Sequence, residues 1–253
     1  MMAVYFVGAG PGAVDLITLR GKLLLEKADV IIYAGSLVNP GLLDFAKAEC
    51  EIFNSASMTL DEVIKTIDKA VKNNKTVVRL HTGDPSLYGA IREQMDRLTA
   101  LGIDYEICPG VSSFSAAAAS LKAQYTLPGV SQTVIITRAA GETPVPEREA
   151  LRELAAHGAT MILFLSASLL DTVSRDLILG GYAPDMPAAI VYKASWPEEK
   201  IVRCTVKTLG QSASEHGINK TALICVGEFL GDAYQLSRLY AADFSTEYRE
   251  ATE

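Results

Sequence analysis

The sequence predicts an α/β protein built from two domains. The chain has 253 residues, which is enough for two compact domains of ordinary size. Hydrophobic residues make up 49% of it and charged residues 21%, as in globular proteins. Short β-rich runs alternate with helical patterns, and this alternation is typical of a parallel sheet covered by helices.

The first half of the chain contains four predicted strands, each followed by a helical pattern. The strands are residues 4–7, 30–33, 76–81 and 105–108, and the helices are residues 18–27, 60–73, 90–98 and 111–121. A strand, a turn and a helix that repeat in this order indicate parallel strands. We therefore expect a mostly parallel sheet in the N-terminal domain.

A second series of strands begins after a turn-rich stretch. Its strands are residues 133–137, 160–165, 188–192 and 221–226, and residues 149–156 form a predicted helix after the polar loop 141–148. The junction lies near residues 118–130, so we predict an N-terminal α/β domain of residues 1–118 and a C-terminal α/β domain of residues 119–253. We expect a mixed sheet in the second domain and a polar tail from Gly231.

Composition argues against several classes of partner. The formal net charge is −7 and no basic stripe is present, which argues against nucleic acid and against an anionic membrane. The apolar start, residues 3–7, is cut short by Gly8, so it is neither a signal sequence nor a membrane span. We expect a cytoplasmic protein.

The cysteines and histidines do not have the spacing of a metal site. Four cysteines and three histidines are scattered along the chain: Cys50, Cys108, Cys204, Cys225, His81, His157 and His216. No C-x-x-C pair is present. We predict free thiols and no metal.

The segment Thr82-Gly83-Asp84-Pro85 is the most informative of the chain, because it places a carboxylate in a loop between a predicted strand and a helix. In open α/β sheets, ligands bind at the carboxyl ends of the strands. Gly83 lets a ligand approach the backbone closely, and Pro85 restricts the turn that carries Asp84. This arrangement suits a polar, partly cationic ligand.

A glycine-rich turn, residues 8–13, follows the first strand and matches the dinucleotide pattern G-x-G-x-x-[GA]. A nicotinamide site also needs an acid at the end of the second strand to hold the ribose. Asp29 lies at the beginning of that strand, and Pro11 stiffens the phosphate-binding turn. A simple strand-to-helix turn explains these glycines as well as NAD binding does.

The third polar loop, residues 109–113, again joins a strand to a helix and ends with Ser112 and Ser113. Hydroxyl groups there can cap the helix, and free amides at a helix start can also bind a ligand. If the strands are parallel, the three loops converge on one edge of the sheet.

These segments together resemble the tetrapyrrole methylase family. The resemblance spans almost the whole chain and rests on residues 7–12 with 15–21, 83–89, 109–113, 186–191 and 222–228. It implies a two-domain protein that binds S-adenosylmethionine in a cleft between the domains and works as a homodimer. Residues 33–38 and 81–84 are most similar to members that methylate C11 of precorrin-4 or cobalt-precorrin-4 in corrin (cobalamin) synthesis, releasing S-adenosylhomocysteine.

The resemblance also implies the cofactor contacts, position by position. They are Pro11, Thr82, Gly83, Asp84, Leu87, Ser112, Ser113, Leu165, Ala194 and Ala222. Some relatives carry an acid directly after the tyrosine of the second strand, but here that position is Ala34. No catalytic residue is therefore assigned.

A tetrapyrrole acceptor carries many carboxylates, whereas this chain is net acidic. Local positive charge is therefore needed, and arginine can bind a carboxylate through two parallel hydrogen bonds. Among the basic residues we favour Arg138 and Lys193, at predicted strand ends of the second domain, as the substrate-binding pair.

Other functions remain open at this point. A member of the same family could methylate another ring carbon, or the modified histidine of a translation factor as diphthine synthase does. A tetrapyrrole carrier could have kept the fold without turnover, and an NAD oxidoreductase is a further alternative.

Overall fold

The structure is a computed structural model that describes residues 4–252. It divides into two compact units. The first comprises residues 4–117 together with the segment Lys193–Glu199, and the second comprises Ala118–Tyr192 and the chain from Lys200 onward. A short segment from late in the sequence thus belongs to the first unit. The predicted domain boundary at residues 118 and 119 stays a prediction.

The first unit contains a five-stranded sheet of the order β3-β2-β4-β1-β5, in which every pair is parallel. Its strands are β1 (Val4–Gly8), β2 (Val30–Tyr33), β3 (Glu51–Asn54), β4 (Val77–His81) and β5 (Tyr105–Cys108). Its helices are α1 (Leu19–Lys27), α2 (Leu60–Lys72) and α3 (Arg92–Ala100), and α4 (Ser113–Leu121) begins in it. The predicted parallel sheet is confirmed.

Helices cover both faces of this sheet, which explains why its central strands are apolar along their whole length. Phe6 and Ile32 pack with Ile67 of α2 on one face, and Val7 and Leu80 belong to the core on the other face. A sheet buried on both sides favours continuous apolar strands over an alternating pattern. All five residues of β4 are buried, including Arg79 and His81.

The local sequence determines where the helix α2 begins and which face it buries. Thr59 and Glu62 form a capping box, in which the Thr59 side chain accepts from the Glu62 N–H and the Glu62 carboxylate accepts from the Thr59 N–H. This satisfies two of the amide groups that a helix start leaves unpaired. The buried face of the helix, Val63, Ile64, Ile67 and Ala70, then packs toward the sheet.

The second unit contains a mixed sheet of the order β6-β7-β10-β8-β9. Its strands are β6 (Val134–Arg138), β7 (Thr160–Phe164), β8 (Pro187–Tyr192), β9 (Lys200–Thr205) and β10 (Ala222–Val226), and its helices are α5 (Leu151–Ala155), α6 (Leu170–Leu179) and α7 (Leu209–Glu215). The β6–β7 pair is parallel and the other pairs are antiparallel. The predicted mixed sheet is confirmed.

Within residues 4–252, no helix is both long enough and apolar enough to cross a membrane.

The backbones at the ends of β1, β4 and β5 approach each other more closely than side chains would allow. A Cβ atom added at Gly110 would lie 2.2 Å from the carbonyl oxygen of Gly83 and 2.7 Å from the Cα of Gly8. Both obstacles are backbone atoms, so no side chain can move aside. Position 110 therefore requires glycine because of close backbone packing, and not because of conformational flexibility.

We predict that Gly110→Ala lowers the free energy of unfolding by about 1–3 kcal/mol or more, because overpacking against fixed backbone forces the loops apart. Gly141→Ala is the matched control, since a Cβ there meets only the Leu169 side chain at 3.4 Å. Scanning calorimetry of both variants measures the difference. Equal midpoints of unfolding would contradict the packing constraint.

Candidate functional site

Three loops meet at the carboxyl edge of the parallel sheet in the first unit. They follow β1, β4 and β5, which are neighbours in the sheet. The Gly83 N–H donates to the Gly10 carbonyl at 2.8 Å, and the Gly10 N–H donates to the Gly83 carbonyl at 3.3 Å. The structure thus brings together the three polar loops that the sequence indicated, at the edge where α/β proteins bind ligands.

The Asp84 carboxylate holds two of these loops together. One oxygen accepts from the backbone N–H of Gly110 at 2.8 Å, and the other accepts from the backbone N–H of Ser86 at 2.8 Å and from the Ser86 hydroxyl. Burial alone would raise the pKa of Asp84, but these hydrogen bonds to Ser86 and Gly110 outweigh it and lower the pKa. Asp84 therefore stays ionised at neutral pH, and a carboxylate retains further lone pairs for a ligand.

The loop after β1 is braced by the late segment Lys193–Glu199. The Trp196 indole N–H donates to the Pro11 carbonyl at 2.9 Å, and the Ser195 hydroxyl accepts from the Ala13 N–H at 3.0 Å. The Trp196 ring lies directly against Gly12, where an added Cβ would fall 2.0 Å from it. Pro11 is thus held between the sheet and this segment.

The remaining predicted site residues of the first unit lie on the same loops or on the same late segment. Thr82, Gly83 and Leu87 are on the loop after β4, and Ser112 and Ser113 are at the start of α4. Ala194 is 7% exposed. Lys193 forms an ion pair with Glu198 at 3.6 Å, and its ammonium lies 5.1 Å from the centre of the Trp196 ring.

Three predicted site residues belong to the second unit. Leu165 follows β7 and is 67% exposed, which is unusual for a leucine, while Ala222 begins β10. The Arg138 guanidinium donates to the backbone carbonyls of Ala139, Thr143 and Pro144 and thereby braces its own loop. The assignment of all these residues to a site stays a prediction.

Backbone strain is concentrated on the segments that carry the predicted site. Among the described residues other than glycine, eight have positive φ angles, and five of these are Tyr88, Ala90, Leu165, Lys193 and Ser195. Such conformations are unfavourable for residues with a side chain and persist where the surrounding structure enforces them, often at ligand-binding sites.

The first unit also contains a cavity of about 250 Å³ that sequence reasoning missed. Thr82, Leu87 and Tyr88 from the loop after β4 line it, together with Arg79 and His81. Arg79 is 6% exposed, and burial lowers its pKa to about 10. The signal was an arginine and a histidine two residues apart in an otherwise apolar strand.

His81 is 4% exposed, and the Nε2 atom of its imidazole has no hydrogen-bond partner among the described residues. Burial, and secondly the charge of Arg79, lower the pKa of His81 to about 3. His81 is therefore neutral at physiological pH.

This low pKa predicts that stability is lost as the pH falls. Below its ordinary pKa of 6.5 the unfolded chain binds a proton that the folded chain excludes until the pH reaches about 3. We expect His81 to remove about 1.5–2 kcal/mol of the free energy of unfolding between pH 6.5 and roughly pH 5. Urea unfolding followed by the fluorescence of Trp196, the single tryptophan, measures it.

His81→Gln flattens this pH dependence, whereas His157→Gln, which changes an exposed histidine, leaves it as in the wild type. Parallel curves for the His81 variant and the wild type would contradict the assignment.

Comparison with known proteins adds independent findings. A family model described as tetrapyrrole (corrin/porphyrin) methylases matches residues 3–210. A relative from Methanocaldococcus jannaschii, named cobalt-precorrin-4 C(11)-methyltransferase, is 57% identical over 249 residues, which are 98% of this chain and 96% of the relative.

Two solved structures are similar along most of the chain. The X-ray structure of a cobalamin biosynthetic enzyme, cobalt precorrin-4 methyltransferase CbiF, matches with a TM-score of 0.89 and 49% identity, covering 91% of this chain and 97% of the other. Uroporphyrin-III C-methyl transferase from Thermus thermophilus, complexed with S-adenyl homocysteine, matches with a TM-score of 0.75 and 26% identity over 90% of this chain and 93% of the other.

Proposed function

Because the chain belongs to the tetrapyrrole (corrin/porphyrin) methylase family, we propose that it is an S-adenosylmethionine-dependent methyltransferase that methylates C11 of cobalt-precorrin-4 or precorrin-4 in corrin biosynthesis. The choice of acceptor rests on one observation. The chain is highly identical, over nearly the whole length of both proteins, to a cobalt-precorrin-4 C(11)-methyltransferase.

The loops of the first unit fit the proposed cofactor. S-adenosylmethionine carries a positive sulfonium and an ammonium group. Asp84 offers an ionised carboxylate at the carboxyl edge of the parallel sheet. A relative of known structure is complexed with S-adenyl homocysteine, which supports this class of cofactor. The contacts that we propose are Pro11, Thr82, Gly83, Asp84, Leu87, Ser112, Ser113, Leu165, Ala194 and Ala222.

Methyl transfer requires the side chains mainly to align the methyl donor with the acceptor carbon. S-adenosylmethionine supplies, when bound, an electrophilic methyl group on a positively charged sulfur. The loops need to fix the cofactor and the acceptor carbon in line, and oriented proximity of this kind can contribute about 7–11 kcal/mol. Tyr33 is followed by Ala34, so no carboxyl group stands there to assist a proton transfer during the reaction.

Substrate carboxylates need positive partners, and we propose Lys193 and Arg138 for this role. The ion pair of Lys193 with the exposed Glu198 is long, at 3.6 Å, so a substrate carboxylate can replace it at small cost. Arg138 already donates to three backbone carbonyls, so it would have to share its N–H groups with a substrate.

We further propose that the protein is a cytoplasmic homodimer. The C-terminal segment, residues 231–252, exposes large apolar side chains, including Leu236, Tyr240 and Tyr248, and exposed apolar surface of this kind supports an interface. The four cysteines are free, which suits a reducing compartment.

Incubation with methyl-labelled S-adenosylmethionine tests the activity. We expect one labelled methyl group at C11 when the protein receives cobalt-precorrin-4 or precorrin-4, seen by mass spectrometry and by NMR of the product. The metal-free and cobalt-bound acceptors are run in parallel, because no residue of the site distinguishes them. Label at another ring carbon, or on a translation-factor histidine, would replace this acceptor with another of the same family. Cofactor binding without any transfer would favour a carrier.

Asp84→Ala tests the cofactor site. Loss of a hydrogen-bonded charge costs about 1.5–3 kcal/mol, so we expect S-adenosylhomocysteine to bind roughly 10- to 100-fold more weakly. Isothermal titration calorimetry measures the affinity. Ser86→Ala is the matched control, since it removes one hydroxyl donor and keeps the carboxylate and its bond to Gly110. Wild-type affinity in the Asp84 variant would remove Asp84 from the site.

A further inference from the structure

We propose that the cavity lined by Arg79 and His81 binds one carboxylate arm of the methyl acceptor, an inference that rests on the proposed function in its choice of acceptor. The cavity lies within the first unit, beside the loop that carries Asp84. The predicted site residues include neither Arg79 nor His81.

Arg79 is a buried cation without a counterion. Its Nε donates to the Gln94 side-chain oxygen at 3.0 Å, and one Nη donates to the Ile32 carbonyl at 3.0 Å. Both acceptors are neutral, and no carboxylate of residues 4–252 forms an ion pair with it. A buried charge is unfavourable unless it is paired. An anion in the cavity would supply the missing partner.

His81 adds a second donor at the same cavity. Its Nε2 is buried and unpartnered, and a neutral imidazole can carry its proton on that atom. Arg79 and His81 both line this cavity, and a guanidinium and an imidazole N–H together can match the two oxygens of a carboxylate. The one carboxylate in the lining, Glu93, is exposed to solvent, whereas Arg79 and His81 are buried.

The arginine is oriented by a network that reaches the strained part of the loop. The Gln94 side chain accepts from Arg79 through its oxygen and donates through its nitrogen to the carbonyl of Ala90 at 2.9 Å. Ala90 and Tyr88 both have positive φ angles. A buried amide that satisfies both partners fixes the guanidinium and the loop together, as expected for a preformed site.

Size and position favour an acid arm of the acceptor. The volume of about 250 Å³ is below the range of roughly 300–1,000 Å³ typical for pockets that take a whole drug-sized ligand. It suits a side chain such as propionate and excludes the macrocycle. Thr82 and Leu87, two proposed cofactor contacts, form part of the lining, while Asp84 and Pro11 do not. The cavity therefore adjoins the proposed cofactor position without coinciding with it.

NMR of the wild-type protein tests the site without any catalytic step. In protein labelled with ¹⁵N-histidine, we expect sodium propionate to shift the ring signals of His81 in a saturable way at neutral pH. Sodium chloride at the same ionic strength is the control for salt. The exposed rings of His157 and His216 serve as internal references and should not move.

Variants test whether the acceptor uses the site. His81→Leu removes the donor, and we expect the KM for cobalt-precorrin-4 to rise roughly 10- to 100-fold with a much smaller change in kcat. His81→Gln keeps an N–H donor on a side chain of similar reach and should recover part of this loss. His157→Leu is the matched control and should keep the wild-type KM. S-adenosylhomocysteine should bind all three variants with wild-type affinity.

The outcomes separate this inference from the proposed function. Methyl transfer with a normal KM in His81→Leu, together with unmoved His81 signals in propionate, would overturn the inference and leave the function standing. Saturable binding of propionate without methyl transfer to either corrin precursor would overturn the proposed function and leave the carboxylate site in place. If S-adenosylhomocysteine shifts His81 and binds His81→Leu more weakly, the carboxylate belongs to the cofactor and the assignment to the acceptor is wrong.

Discussion

The hydrogen bond from the Gly110 backbone N–H to the Asp84 carboxylate, 2.8 Å long, is the interaction on which the arrangement of the site depends. It joins the loop after β4 to the loop after β5, and the paired backbone bonds between Gly10 and Gly83 add the loop after β1. The three backbones come so close that glycine is needed at position 110. One carboxylate thus fixes the edge of the sheet and keeps its own charge there for a cationic ligand.

The late segment Lys193–Glu199 completes this edge, so the candidate site draws on distant parts of the chain. Trp196 packs on Gly12 and donates to the Pro11 carbonyl, while Ser195 accepts from Ala13. Lys193 and Ser195 hold left-handed backbone angles, so this brace is strained. Strain at Tyr88 and Ala90, on the loop after β4, is of the same kind. Rigid, strained loops favour accurate placement of bound molecules, which is what alignment-dependent methyl transfer requires.

Much of the fold could be predicted from the sequence because its strands are short, apolar and bounded by glycine or proline. The strand Val30–Tyr33 was predicted with the bounds that the structure gives, and the parallel and mixed sheets were both expected. The strands β3 and β9 were not predicted as such. Both are largely exposed edge strands with charged residues, so they lack the apolar pattern that identifies a buried strand. The helix α3 begins at Arg92 and not at residue 90, because Ala90 is left-handed.

Sequence motifs predicted part of the candidate site. The part that depends on which side chains are buried could not be predicted. The convergence of the loops at Gly10, Asp84 and Gly110 follows from parallel strands, and the sequence indicated it. The role of Trp196 as a brace needs the three-dimensional packing, since 184 positions separate it from Gly12 in a chain with no repeat to relate them. The cavity at Arg79 and His81 depends on which polar side chains are buried and how they are paired, and the periodicity of the sequence does not show this.

A crystal structure of the protein with bound S-adenosylhomocysteine would show whether the three loops form the cofactor site. We expect the ligand to contact the loop at Pro11, the loop at Thr82–Leu87 and the start of α4 at Ser112 and Ser113, with the Asp84–Gly110 hydrogen bond in place. A ligand bound away from all three loops would contradict it.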